Sequence, residues 1–278
     1  PWHTDAHMES ASRDMVEETY RRCFTPKGTL LLFAGPVDPE QAFSLADRYF
    51  GGWERQAPAP VEFPMLPPPP IPRCCLVDRP NSVQSCILAG LRTLPVADPD
   101  ALTLKLLNQA LGGGASARLF LKLREDKGYT YGAYSQLKAY RHDGMLLAGA
   151  NVRVDATHEA LEDILNETVR LGAVEIEVDE LERCRSELIG ALVRQLETSA
   201  SVGELELQRR LRGLPADYYE DLIPRLRAIS PETARQLCEG LFDLDKAVLT
   251  VVGDRRLLEA QLTQWGPVAA FDTQGDPL

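Results

Sequence analysis

The chain has 278 residues, of which 44% are hydrophobic and 26% charged, a composition typical of a folded globular protein. Its formal net charge of -11 argues against nucleic acid as a partner, because phosphate binding needs a basic face. No apolar run is long enough to span a bilayer, so the sequence predicts no membrane segment. The length allows one large domain or two modest ones.

Neither the cysteines nor the histidines form a recognisable metal motif. No CxxC pair occurs, and we interpret the cysteines as mostly buried thiols rather than metal ligands or a disulfide framework. No HxxEH or HExxH motif occurs either. His3 and His7 have the spacing of two ligands on a helix but lack the glutamate that would act as base. The sequence therefore predicts no metal site in this chain.

The first part of the chain, residues 1–55, shows a helix, strand and helix pattern. Residues 11–24 have an apolar helical face. Residues 29–34, TLLLFA, form a short apolar run that predicts a buried strand. Asp38 and Pro39 then provide a cap and first position for a helix that ends near Phe50.

A composition shift follows at residues 56–72, where proline recurs too often for a helix or a central strand. This segment predicts an extended, semi-rigid linker and a domain boundary.

Beyond this linker the pattern predicts strands, then mainly helices. The strands are expected at 73–77, 84–91, 129–140, 145–154 and 247–252. Asp143-Gly144 predicts a hairpin between the third and fourth. The helices are expected at 98–111, 115–126, 155–171, 179–211, 217–228, 231–242 and 255–265. Because strands and helices cluster instead of alternating strictly, the sequence predicts an α+β fold, with a mostly antiparallel sheet packed against helices.

An internal repeat relates residues 27–35 to residues 245–253. Each lies between a helix ending in an aromatic residue and a helix ending near a tryptophan, and each contains a turn, an apolar run and a glycine. If the repeat is genuine, residues 1–55 match only the tail of the later unit, which begins near Arg73.

The most informative stretch is Asn108–Tyr134, NQALGGGASARLFLKLREDKGYTYGAY. A glycine-rich turn, then Ala-Arg-Leu-Phe, then Leu-Arg-Glu-x-x-Gly-x-x-Tyr resembles the C-terminal half of pitrilysin/insulinase-type zinc peptidases, which include the mitochondrial processing peptidases. Arg79-Pro80 with residues 82–84, the hairpin, the long helices and the last strand follow in the order that this resemblance implies.

The resemblance implies a processing-peptidase-like fold of two related α+β halves. The N-terminal half of such enzymes carries zinc on an H-x-x-E-H motif, and the C-terminal half supplies an arginine and a tyrosine seven residues apart. The matching positions here are Arg124 and Tyr131. By the same resemblance, residues 1–55 are the tail of a metal-bearing half, residues 56–72 the linker and residues 73–278 a complete non-metal half. Zinc is expected in the missing or partner half and not in this chain.

Arg124 and Tyr131 would hydrogen-bond to the substrate backbone or to the carbonyl oxygen that becomes negative during hydrolysis. Purely structural roles are the alternative, since arginine suits a helix C-terminus and tyrosine suits a strand. Gly112-Gly113-Gly114 follows a helix and no Lys-Ser/Thr pair follows it, so we expect a tight turn and not a phosphate loop.

The resemblance therefore implies the substrate-binding part of a zinc metalloendopeptidase, inactive in isolation. A non-catalytic partner or structural subunit on the same fold is the alternative. The expected partners are a peptide or unfolded protein, and a zinc-bearing half in the same protein or in a separate subunit. Bacterial cytoplasm and periplasm both stay open as locations.

Overall fold

The computed structural model describes residues 5–54 and 73–278, which fall into two compact units. Unit 1 comprises residues 5–54 and 195–208, and unit 2 comprises residues 73–194 and 209–278. The predicted linker at 56–72 lies outside the described residues, so that prediction is untested.

The predicted helices occur in the predicted order, but the helix at Asp5–Ser10 was not expected and the helix predicted at 217–228 begins only at Leu222. In chain order they are α1 (Asp5–Ser10), α2 (Arg13–Cys23), α3 (Pro39–Phe50), α4 (Ala101–Gly112), α5 (Arg118–Phe120), α6 (Thr157–Ala173), α7 (Val178–Gln195), α8 (Ser199–Arg212), α9 (Leu222–Ala228), α10 (Pro231–Leu241) and α11 (Arg255–Leu262). The cap predicted for α3 is present, since Asp38 Oδ1 accepts a hydrogen bond of 3.0 Å from the backbone N–H of Gln41. Among these helices none combines the length and apolar character needed to cross a bilayer.

Unit 2 is built on one six-stranded sheet. Its strands are β1 (Cys74–Asp78), β2 (Gln84–Thr93), β3 (Ala133–Ala139), β4 (Gly144–Arg153), β5 (Val248–Gly253) and β6 (Val268–Phe271). Their spatial order is β3-β4-β2-β5-β1-β6. The first three pairings are antiparallel, and β1 pairs in parallel with both β5 and β6. The predicted α+β fold with a mostly antiparallel sheet is confirmed, although β6 was not expected.

The core of unit 2 lies between this sheet and its helices. Along β2, Ile87 is fully buried while its neighbours Cys86 and Leu88 are only partly covered, which is the alternation of a sheet with one face packed. Helix α6 packs on β2 and β4, and α11 packs on β1. Leu249 and Val251 of the central strand β5 are fully buried, and burying each such side chain contributes about 1.5–3 kcal/mol.

Unit 1 contradicts one prediction, because residues 29–34 form no strand. Leu31 and Phe33 are 51% and 45% exposed. On the other side of the segment, Leu32 and Ala34 lie against α8, where a Cβ on Gly203 would approach Ala34 Cβ to 2.9 Å. The apolar run has strand propensity, but a strand also needs a neighbour to accept and donate its ladder hydrogen bonds. The described part of unit 1 contains none.

The predicted helix at 179–211 is also wrong as a single element. It divides into α7 and α8 at residues 196–198. Thr198 explains the new start, because its hydroxyl accepts a 3.1 Å hydrogen bond from the backbone N–H of Ser201, as an N-cap residue does.

Candidate functional site

Arg124 and Tyr131 both lie on the connection between α5 and β3. The expected α-helix at 115–126 begins only at Arg118 and widens into a π-helical turn, Leu121–Asp126. In that turn the N–H of Lys127 donates a 3.1 Å hydrogen bond to the carbonyl oxygen of Lys122, five residues earlier. Gly128 follows with φ of 62°, a backbone conformation in which a side chain would be strained. The chain thus turns between the two predicted site residues.

Arg124 rests against an aromatic ring on its own helical face. Its guanidinium carbon lies 4.7 Å from the centroid of the Phe120 ring, a cation–π distance. Its Nε atom is 3.5 Å from a carboxylate oxygen of Glu125. The Arg124 side chain is still 45% exposed. The guanidinium is therefore held from one side and remains accessible to solvent.

Tyr131 is 91% exposed, the most exposed large apolar or aromatic side chain in the described residues. It was expected at the start of a strand, but β3 begins two residues later at Ala133. The Thr130 hydroxyl explains the later start, because it lies 2.6 Å from the carbonyl oxygen of Asn151 and accepts a 3.1 Å hydrogen bond from the Gly132 N–H. These bonds to a side chain compete with regular ladder pairing.

Carboxylates of α7 hold the segment that leads into this connection. Glu187 accepts hydrogen bonds of 2.7 Å from the side-chain amide of Gln109 and 2.9 Å from the hydroxyl of Ser116. Glu180 makes a bidentate pair of 2.8 and 2.7 Å with Arg118, and both side chains are about 85% buried. These glutamates were not predicted as site residues. Their spacing of seven, two helical turns on one face, was the available signal.

The glycine-rich turn has the structural role expected of it. A Cβ atom on Gly112 would stand 2.1 Å from the backbone nitrogen of Ser135, so only glycine lets the end of α4 approach β3 this closely. The Ser135 hydroxyl also donates a 3.1 Å hydrogen bond to the carbonyl oxygen of Asn108. This close contact ties the start of the α5 connection to the strand that follows it.

The residues present do not fit a zinc ion. Across residues 5–54 and 73–278, no group of three or more His, Cys, Asp or Glu side chains is placed to hold a metal. The ring of His158 lies 5.2 Å from that of Trp265, and its Nδ1 is 3.2 Å from the carbonyl oxygen of Gln261, which is a packing role. His3 lies outside the described residues.

The thiols are in part as expected. Cys74, Cys184 and Cys238 are buried, and Cys23 is exposed. Burial raises the pKa of Cys238 to about 12 and that of Cys74 and Cys184 to about 11. At neutral pH these three thiols stay protonated, and a protonated thiol is a poor nucleophile and metal ligand.

Comparison with known proteins agrees with this architecture. The model of the peptidase M16 inactive domain matches residues 10–188. The uncharacterized zinc protease YmxG of Bacillus subtilis is 25% identical over 248 residues, covering 89% of this chain and 59% of the relative. The human mitochondrial-processing peptidase subunit alpha is 26% identical over 183 residues, covering 60% of this chain and 34% of the relative.

Among solved structures, the peptidase M16 inactive domain from Pseudomonas fluorescens superimposes with a TM-score of 0.79. It is 19% identical and the alignment covers 90% of this chain and 60% of that one, so it supports the fold alone. The chain thus spans less than two thirds of the length of these relatives. The resemblance deduced from Asn108–Tyr134 is confirmed.

Proposed function

The chain belongs to the family of peptidase M16 inactive domains. We propose that unit 2 binds an extended peptide, which a zinc-bearing peptidase half then hydrolyses. The observation that carries this proposal is the exposure of Arg124 and Tyr131 on one short, internally braced connection. Arg124 leaves 45% of its side chain accessible and Tyr131 leaves 91% of its surface accessible, so both can reach a ligand from the same connection.

The chemistry of the two side chains suits a peptide main chain. An extended peptide presents carbonyl oxygens, which are acceptors that every sequence shares. A guanidinium offers five N–H donors in a fixed fork, and a phenol offers one O–H donor. Donors of this kind aimed at the scissile carbonyl oxygen become more valuable as negative charge develops on it. Arg124 and Tyr131 would therefore orient the substrate and support its hydrolysis.

The metal is assigned to another part of the assembly. Relatives of this chain are named zinc proteases, yet the described residues offer no ligand set for zinc. We therefore expect no hydrolysis by this chain alone. The zinc-bearing half would come from the same full-length protein or from a separate subunit, and the human relative is itself named as a subunit.

The surface of unit 1 supports this division. No large apolar side chain in its described part is buried, and Phe43, Tyr49 and Phe24 are 75%, 68% and 57% exposed. Exposed apolar side chains gathered in this way are typical of a surface that another protein segment covers. We propose that residues 1–55 belong to the metal-bearing half and residues 73–278 to the non-metal half, with residues 56–72 as the linker.

A non-catalytic interaction subunit on the same fold is the second candidate, favoured by the same lack of a metal-ligand cluster in the described residues. Both candidates predict an inactive isolated chain. They differ over Arg124 and Tyr131, which only the peptide-binding function requires.

The test is a binding titration with a fluorescein-labelled, unfolded and uncharged peptide, followed by fluorescence anisotropy. Arg124→Ala and Tyr131→Ala should each weaken binding by about 5- to 10-fold, which corresponds to the loss of one hydrogen bond, about 1 kcal/mol. Matched controls lie at the hairpin end of the sheet. Tyr140 follows β3 and is 54% exposed, and Arg92 has a 57% exposed side chain paired with Asp143.

Tyr140→Ala and Arg92→Ala should leave the affinity unchanged. Equal affinities for all four variants would overturn the peptide-binding function and leave the interaction subunit as the better account.

A further inference from the structure

We propose that Phe120 and Thr130 are positioning residues that fix Arg124 and Tyr131 in their peptide-binding geometry before the peptide arrives. This inference rests on the proposed function and adds two residues to it. Neither was given a role of its own from the sequence, and neither is expected to touch the peptide.

Arg124 is held by Phe120. An exposed arginine has several rotatable bonds, and immobilising such a side chain on binding costs about 0.5–1.5 kcal/mol. The Phe120 ring, 4.7 Å from the guanidinium carbon, reduces that cost by holding the guanidinium against an aromatic face in the unbound protein. Four residues separate the two positions, so they share one side of the helical segment.

The π-helical turn Leu121–Asp126 forms the platform for this pair. Turns with hydrogen bonds to the fifth residue back are rare, and they concentrate at functional sites. Here the 3.1 Å bond from the Lys127 N–H to the Lys122 carbonyl oxygen is followed by a 2.9 Å bond from the Tyr129 N–H to the Leu123 carbonyl oxygen. These hydrogen bonds therefore connect the widened turn to the loop that carries Tyr131.

Tyr131 is held by its neighbour. The Thr130 hydroxyl lies 2.6 Å from the carbonyl oxygen of Asn151, at the end of β4, and accepts a bond from the Gly132 N–H. The backbone just before Thr130 is also bonded to β4, since the Arg153 N–H donates a 3.4 Å hydrogen bond to the Tyr129 carbonyl oxygen. Side-chain hydrogen bonds of Thr130 therefore fix the backbone from which the exposed phenol projects.

The experiment is a double-mutant cycle in the 278-residue chain, read out as the dissociation constant of the same labelled peptide. Thr130→Val keeps the shape of threonine and removes its hydroxyl, and should weaken binding by about 3- to 10-fold. Thr130→Ser keeps the hydroxyl and should bind as the unchanged chain does. In a Tyr131→Ala background, Thr130→Val should have no further effect, because the hydroxyl acts through Tyr131.

The Phe120 arm follows the same design. Phe120→Leu should weaken binding by about 2- to 5-fold, whereas Phe120→Tyr keeps an aromatic ring and should bind as the unchanged chain does. In an Arg124→Ala background, Phe120→Leu should have no further effect. A thermal melt of each variant accompanies the titration, so that a loss of folding is recognised as such. If Thr130→Val also destabilises the fold, the comparison of Thr130→Ala with Thr130→Ser replaces it.

The outcomes separate this inference from the function beneath it. If Tyr131→Ala and Arg124→Ala leave the affinity unchanged, the peptide-binding function fails and the inference fails with it. If those two variants weaken binding but Thr130→Val and Phe120→Leu do not, only the positioning roles are overturned. An equal effect of Thr130→Val with and without Tyr131 would likewise contradict positioning.

Discussion

Residues 27–35 and residues 245–253 share a pattern of sequence but not a structure. In unit 2 the apolar run becomes β5, with β2 on one side and β1 on the other, and Leu249 and Val251 are fully buried. In unit 1 the corresponding run forms no strand, and Leu31 and Phe33 remain about half exposed. The flanking helices form in both places.

The difference shows that a local sequence can specify a helix, whereas a strand also needs neighbouring strands. A helix satisfies its backbone hydrogen bonds within itself, so caps such as Asp38 are enough to define α3. A strand satisfies them through its neighbours. Residues 29–34 therefore have the composition of a strand and lack the sheet that would make them one.

The largest expected effect is on stability at the paired positions of the two runs. Leu249→Ala should lower the free energy of unfolding by about 2–5 kcal/mol, because it leaves a cavity in the packed core. Leu31→Ala should change it by less than about 0.5 kcal/mol, because Leu31 is 51% exposed. Urea unfolding followed by circular dichroism measures both free energies, and similar losses for the two variants would contradict the difference in burial.

Leu31 should also matter for the association with a metal-bearing half. If that half covers residues 29–34, Leu31→Asp should weaken its association with this chain, while an exposed position of unit 2 such as Tyr140→Asp should not. Analytical ultracentrifugation of the mixed halves gives the two affinities. Association that is indifferent to Leu31→Asp would argue that another surface of the chain is used.

Ion pairs should show the second-largest contrast. Glu180→Ala leaves the guanidinium of Arg118 mostly buried without its partner, and should cost roughly 3 kcal/mol. Glu17→Ala removes an exposed i, i+4 pair with Arg21 on α2 and should cost less than about 0.5 kcal/mol. Chemical unfolding of both variants measures the two losses in the free energy of unfolding. A cost for Glu180→Ala near that of Glu17→Ala would show that the buried pair does not brace the α5 connection.

The smallest expected contrast concerns the acidic helix caps and pH. Asp254 caps α11 and is almost fully buried. The Arg256 guanidinium beside it holds the pKa of its carboxyl well below the ordinary value. Hydrogen bonds from the backbone N–H groups of Asn81 and Arg256 act in the same direction. A depressed folded-state pKa contributes stability above the unfolded pKa of about 3.9, and that stability is lost as the pH falls through the folded-state value.

Asp254→Asn should therefore be destabilising at pH 7, and the difference from the unchanged chain should shrink as the pH falls below about 4. Asp38→Asn is the matched control, because Asp38 accepts one backbone hydrogen bond at the start of α3 and asparagine caps as well as aspartate. Thermal melts across the pH range give both curves. A difference for Asp254→Asn that does not vary with pH would exclude the charge as its cause.

Much of the fold could be predicted from local sequence. The helices with caps, the hairpin at Asp143-Gly144 and the central strands of unit 2 all follow from spacing and turn chemistry. The π-helical turn and the late start of β3 could not, because each depends on hydrogen bonds that no sequence pattern specifies. The break at Thr198 depends on a local cap of the same kind as Asp38, so the start of α8 could have been recognised from the sequence.

The candidate site shows the same limit. Arg124 and Tyr131 were found through a motif resemblance, which gives positions without surroundings. The Glu180 and Glu187 contacts join residues more than 60 positions apart, and no local pattern specifies the partner. Phe120 is four residues from Arg124 and could have been suspected from that spacing. Thr130 carries no sequence signal that distinguishes it from any strand threonine.

The proposed role of Arg124 and Tyr131 is to assist a zinc-bearing half in hydrolysing peptides. The most direct measurement is kcat/KM for peptide cleavage by this chain assembled with its metal-bearing half, with and without Arg124→Ala and Tyr131→Phe. We expect no turnover by the chain alone and a loss of about 10²–10³-fold in kcat/KM for the assembled double variant. An unchanged kcat/KM, or clear turnover by the isolated chain supplied with zinc, would contradict it.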